Sequence, residues 1–305
     1  MDCGPAALKC LLEGFGVGVS YGRLREACQT SVDGTSIDTL ETLGASLGLD
    51  AEQVMMPVDH LLLPEAEALP AIVVTRLPSG LVHFVVVWRV HGRFVQIMDP
   101  ARGRRWVRRE AFLRDVYVHR MSVPADAFRE FAVSDGFTRP LAHRLRALGA
   151  PDGEALIARA LEDPGWSAVA ALDGAVRTVV ALVASGAIAR GAEAGRLVAS
   201  LASAPAGQDG SPAVPAIYAT AVAAPAAEDG APQVAIRGAV LLRASAAASL
   251  DAAQKAALPV ELRAAVEEPR PRAAAELWRL LARDGRGRWA ALAVGVVLAA
   301  LGAVA

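Results

Sequence analysis

Three residues of this sequence have types and settings that together could break an amide bond. Cys3 stands just before the run Pro5 to Gly16, where apolar residues recur at helical spacing behind a proline suited to a first helical turn. A thiol at that point meets unpaired backbone N–H groups and the positive end of the helix dipole, which favour thiolate over thiol. Gly4 is expected to leave room beside it for a substrate carbonyl. A thiol nucleophile also needs an imidazole to take its proton and hand it to the leaving amine, and a third group to hold that imidazole in one tautomer. His83 and Asp99 are the pair whose placement can supply both. His60, His91, His119 and His143 lack an acidic partner at a matching strand position.

The elements that must position these residues change type along the chain. Apolar spacing predicts helices over 5–16, over 20–28 behind Ser20, and from a cap near Ser36 to a stop at Gly48. β-branched runs then predict strands at 69–74, 83–88 and 94–98. Val90-His91-Gly92 reads as a three-residue hairpin loop, which makes Arg89 face Arg93 and places His83 directly opposite Asp99. Strand signals fade from about Val118, and Pro124 marks a linker, so the first domain is expected to span 1–122.

Four ordered motifs in that stretch are DCGPAAL, DGTS at 33–36, HFVVVW, and MDPARG followed by basic residues and Phe112. Together they resemble the cytosolic double-glycine-leader peptidase domains fused to bacterial ABC exporters of bacteriocins. The resemblance implies an α+β, papain-like cysteine peptidase domain with N-terminal helices and an antiparallel sheet. By the family pattern Cys3 is the nucleophile, His83 the general base and Asp99 its orienter. It further implies a peptide substrate with a Gly-Gly-type leader, cut after the glycine pair, and partnership with an exporter's membrane and ATPase parts. The family carries a glutamine about six residues before the cysteine that helps hold the oxyanion, whereas here only Met1 and Asp2 precede Cys3. The expected explanation is an upstream start; the alternative is a catalytically impaired module that binds leader or cargo for an exporter.

Length and composition bound the remainder. At 305 residues about two domains are expected. The 31 Lys and Arg nearly balance 32 Asp and Glu, so no global field recruits nucleic acid. Arg102, Arg104, Arg105, Arg108, Arg109 and Arg114 read as a solvated strand and helix edge able to contact a leader peptide or exporter. Cys3, Cys10 and Cys28 have no metal-ligand spacing and suit a reducing compartment, with Cys10 and Cys28 expected as buried helix-face thiols. Residues 126–283 read as a mainly helical region of unknown role, interrupted by a Pro/Gly/Ala-rich linker near 204–233; QVAIRGAVLLR at 233–243 fits either a strand pair or a helix, and 272–283 a helix. Trp289 to Ala305 is an uncharged run behind Arg279, Arg283, Arg286 and Arg288, at the lower edge of the roughly 17–25 residues that span a bilayer. It is expected to be a C-terminal membrane helix cut short, with the peptidase domain on the cytoplasmic side of a bacterial inner membrane. No phosphate-binding GxxxxGK[ST] motif occurs, so no cofactor is expected in this chain and ATP enters only through a missing or separate ATPase domain.

Overall fold

The computed structural model describes residues 2–29, 34–205, 214–228 and 230–267. The chain opens with three helices, α1 (Cys3–Gly14), α2 (Tyr21–Ala27) and α3 (Ile37–Ser46). Ala7, Leu8, Leu11 and Leu12 recur on one face of α1 and are fully buried. Gly14 is obligatory at its end, because a Cβ there would lie 1.7 Å from the Trp88 ring. Ser36 caps α3 by accepting from the Thr39 N–H at 3.1 Å, as its position predicts.

Five strands follow, β1 (Leu49–Met56), β2 (Ala71–Arg76), β3 (Val82–His91), β4 (Phe94–Asp99) and β5 (Gly103–Arg108), and then α4 (Arg109–Asp115) and β6 (His119–Pro124). The expectation of a helical first half and a sheet second half holds, with β1, β5 and β6 added to the three strands expected at 69–74, 83–88 and 94–98. β1 shows no clean alternation, since polar Asp50, Glu52 and Gln53 crowd its exposed part. β6 alternates His119, Met121 and Val123, but Arg120 and the terminal Pro124 mask it.

Beyond β6 come α5 (Ala125–Val133), α6 (Asp135–Leu148), α7 (Gly153–Glu162), α8 (Ser167–Ala184) and α9 (Ala192–Ala202), the expected helical region. β7 (Ala221–Ala224) and β8 (Gln233–Ala247) lead to α10 (Ala252–Ala257) and α11 (Val260–Glu267). Thus the stretch expected as a linker holds a strand, and QVAIRGAVLLR is neither a helix nor a strand pair but most of one long strand. The 272–283 helix and the 289–305 membrane segment lie outside the described residues. Among those described, α8 is the one helix long and apolar enough to cross a membrane, and it is half buried within the protein.

β8 pairs across the boundary expected at residue 122. Its C-terminal half lies between β1 and β2, in the strand order β1-β8-β2-β3-β4-β5, every neighbour antiparallel. Its N-terminal half lies between β6 and β7. Leu242 and Ala244 enter the core beneath α1–α3, Ala239 and Leu241 the core on the opposite face under α4, and Val234 the core of the helical region. One strand therefore serves all three cores, and α5–α9 are inserted between two strands that pair with each other. At the changeover, a Cβ on Gly238 would lie 2.4 Å from the Met56 carbonyl oxygen, so only glycine fits. α11 returns to the N-terminal helices, accepting the Ser20 N–H on the Ala265 carbonyl at 2.7 Å.

A buried charge network fixes the inserted helices to the sheet. Arg144 of α6 and Arg177 of α8 both bind Asp59, which follows β1, and Asp173 of α8. Asp173 is fully buried and also accepts from Thr220. Burial opposes its ionisation, but the Arg177 and Arg144 guanidiniums outweigh that and hold it below the usual carboxylate range.

Candidate active site

Cys3 is the first residue of α1, half-buried at the sheet edge where β3 begins. Its thiol lies beside the His83 side chain and the Phe84 backbone N–H, both near enough to stabilise a thiolate. His83 Nε2 in turn lies 2.8 Å from Asp99 Oδ1, leaving Nδ1 as the nitrogen toward the thiol. Asp99 Oδ1 also accepts from the Ala101 N–H at 2.9 Å, and Oδ2 from Arg105 Nη2 at 3.0 Å. His83 and Asp99 are 6% and 5% exposed, so the pair is sheltered from bulk water.

The three predicted residues come together, but by a register other than the one expected. The hairpin turns on Gly92-Arg93, with Gly92 at φ +53°, and pairs His91 with Phe94 and Arg89 with Gln96. Continued unchanged, that register would put His83 and Asp99 on opposite faces of the sheet. A bulge at Trp88 shifts it by one, so that Val87 faces Ile97 and Val86 faces Met98. The shifted register sets Val85 opposite Asp99 and His83 one diagonal step away on the same face, within side-chain reach. Directly opposite His83 on β2 is Thr75, whose hydroxyl donates to the His83 carbonyl at 3.0 Å and fixes the strand end.

The electrostatics follow from these contacts. Burial pushes the Cys3 thiol up, but the bonds from His83 and the Phe84 N–H and the charge of His83 outweigh it and hold it below the ordinary value. The hydrogen bond to Cys3 and that to Asp99 raise His83 above a free imidazole despite burial. Asp99, penalised by burial, is kept low by His83, the Ala101 N–H and Arg105. The arrangement thus favours a thiolate–imidazolium pair. Burial alone raises Cys28, to about 12, and burial is also the main cause that raises Cys10.

Gly4 also has a packing role in the structure. A Cβ there would stand 3.0 Å from Thr35 Cβ, so glycine lets Thr35 pack against the start of α1. Arg105 escaped the sequence reading among its neighbouring arginines. Asp99 pairs with Gly103, which puts Arg105 two residues along on the Asp99 face, a relation readable only once the β4–β5 turn is known. The other histidines lie elsewhere: His60 is buried against Phe137 with both nitrogens unpartnered, His91 ends β3, His119 packs on Tyr117, and His143 binds Glu65 at 2.6 Å.

Residues 1–116 match the Peptidase C39 family. An uncharacterized protein of Methanothermobacter thermautotrophicus is 34% identical over 113 residues, which are 37% of this chain and 75% of that relative. Through these residues the chain belongs to the Peptidase C39 family. The lactococcin-G-processing and transport ATP-binding protein LagD of Lactococcus lactis subsp. lactis is 33% identical to the C39 domain over 103 residues, 34% of this chain. This chain spans only 14% of LagD's length. A double glycine motif protease from an AMS/PCAT transporter, solved in complex with the leader peptide, shares 27% identity over 37% of this chain and 77% of its own, at a TM-score of 0.33. The family match ends at 116, whereas in this structure the sheet of the C39 domain is completed by residues 233–247.

Proposed function

We propose that this protein is a cysteine endopeptidase that cuts leader peptides after a double-glycine site, coupled to export of the mature peptide. The observation that carries the reading is the convergence of the Cys3 thiol, His83 and Asp99, with His83 Nε2 2.8 Å from Asp99 Oδ1 and the thiol beside the ring. The Cys3 thiolate attacks the carbonyl carbon of the scissile bond. The His83 imidazolium gives its proton to the departing amine, and neutral His83 then takes a proton from the water that hydrolyses the thioester. Asp99 stays ionised, orients the ring and stabilises the imidazolium. The double-glycine preference and the link to an ABC exporter at a bacterial inner membrane rest on similarity to proteins such as LagD.

The test is mass-spectrometric cleavage of a panel of Gly-Gly leader peptides by the whole chain and by Cys3→Ala. The whole chain is used because β8 completes the sheet that holds His83 and Asp99. Cleavage after the glycine pair, abolished in Cys3→Ala, is the expected result. An intact panel after incubation with the folded chain would refute the peptidase reading and leave a module that binds leader without cutting it.

A further inference from the structure

We infer that Arg76, Arg114, Arg120 and Arg237 form a binding pocket for carboxylate side chains of the peptide substrate. This deepens the peptidase reading, on which it rests, by naming a chemical feature of the substrate. The four arginines line a recess of about 560 Å³ together with Val116, Tyr117 and Val118, and no Asp or Glu lines it. No ion pair engages any of the four among the described residues. Arg76 stacks over the Tyr117 ring at 5.0 Å, and among the described residues the Arg237 side chain reaches the Ala216 and Ile217 carbonyls, at 3.4 Å.

The strand register makes this concentration of charge costly. Arg120 on β6 is paired directly with Arg237 on β8, and like charges facing across strands destabilise a sheet. Arg237 is half-buried, and burial together with Arg120 and Arg177 makes its positive charge harder to keep. A local rule broken without compensation inside the fold marks a place where an outside group supplies the missing charge. Guanidinium groups meet carboxylates with paired, directional hydrogen bonds, so an acidic side chain satisfies the pocket.

Continuity with the candidate active site selects a peptide as the occupant. Arg76 and Arg114 also line the neighbouring cleft of about 510 Å³, which His83, Asp99 and Asp115 line as well. A peptide chain lying along His83 can therefore run past Arg114 into the arginine recess. Arg237 lies on β8, outside the residues matched to the family, so the completed sheet supplies a recognition element that the matched segment lacks.

Fluorescence anisotropy with full-length Cys3→Ala tests this, using a fluorescein-labelled Gly-Gly peptide that carries three consecutive Glu residues and the same peptide with Gln in their place. The Glu peptide is expected to bind about tenfold or more tightly, the worth of one charge-assisted hydrogen bond, with the preference shrinking as salt rises. The preference should vanish in Arg120→Gln/Arg237→Gln, whose melting temperature should not fall because a like-charge pair is removed. It should weaken in Arg114→Gln, an exposed helix-end change that leaves the sheet untouched. Equal binding of the two peptides, no binding of either, or a preference that survives these substitutions would overturn the inference. Glu-dependent binding without cleavage by the wild type would keep this pocket and sink the peptidase reading; cleavage indifferent to Glu would do the reverse.

Discussion

Leu242→Ala should destabilise the C39 domain although it lies far beyond the residues matched to the family. Leu242 is fully buried on β8, paired with Gln53 of β1 on one side and Ile72 of β2 on the other, in the core beneath α1–α3. Removing three side-chain carbons at about 0.8 kcal/mol each loses about 2.4 kcal/mol of burial. The cavity left in a core closed on both sides brings the loss to about 3–5 kcal/mol. With a urea slope of about 3 kcal/mol per molar, the midpoint should fall by about 1 M or more. Urea unfolding followed by circular dichroism, with Cys3 alkylation read on the same samples, would show whether the nucleophile's helix loosens at the same midpoint. Leu8→Ala, on α1 in the same core, should behave alike, and Leu81→Ala, half exposed before β3, should change nothing. A wild-type midpoint for Leu242→Ala beside a lowered one for Leu8→Ala would refute the claim that β8 is integral to the C39 domain.

Three further outcomes follow from the contacts. The pH profile of cleavage should be bell-shaped, rising as Cys3 ionises below the ordinary thiol value and falling as His83 loses its proton above the ordinary imidazole value; Asp99, held low, contributes stability above the usual carboxylate range that is lost as pH falls through its own lowered value. Arg144→Met should cost about 3–5 kcal/mol in thermal or urea unfolding, because it leaves the fully buried Asp173 short of one partner, and a shift confined to about 0.5 kcal/mol would show the network to be dispensable. Gly238→Ala should cost about 1–3 kcal/mol by forcing β8 away from the Met56 carbonyl, a displacement that hydrogen exchange at the β1–β8 ladder would report.

The parts of the site set by local signals were readable without a structure. Pro5 and the spacing of Leu8, Leu11 and Leu12 announce the helix that begins at Cys3, and the runs around His83 and Asp99 announce two adjacent strands. Their meeting was anticipated through a register that does not occur: the real turn is one residue shorter, and the bulge at Trp88 restores the parity that brings both side chains to one face. A bulge carries no local signature in Val87-Trp88-Arg89, since it arises where Trp88 fits against Gly14 of α1. β8 was ambiguous because its apolar run lacks simple alternation, its two halves facing different cores, and three of its four partners, β1, β2 and β6, lie more than a hundred residues upstream. For the same reason the boundary expected at 122 followed the fading of strand signals rather than the pairing of strands.

The measurement that bears most directly on the account is the pH dependence of iodoacetamide labelling in the whole chain, resolved by mass spectrometry for Cys3, Cys10 and Cys28 separately. Cys3 should label with an inflection below the ordinary thiol value of 9.0, moving upward in His83→Ala, while Cys10 inflects higher and Cys28 stays unreactive until about pH 12. An inflection for Cys3 at or above 9.0, or one indifferent to His83→Ala, would contradict the thiolate–imidazolium pair on which the proposed peptidase depends.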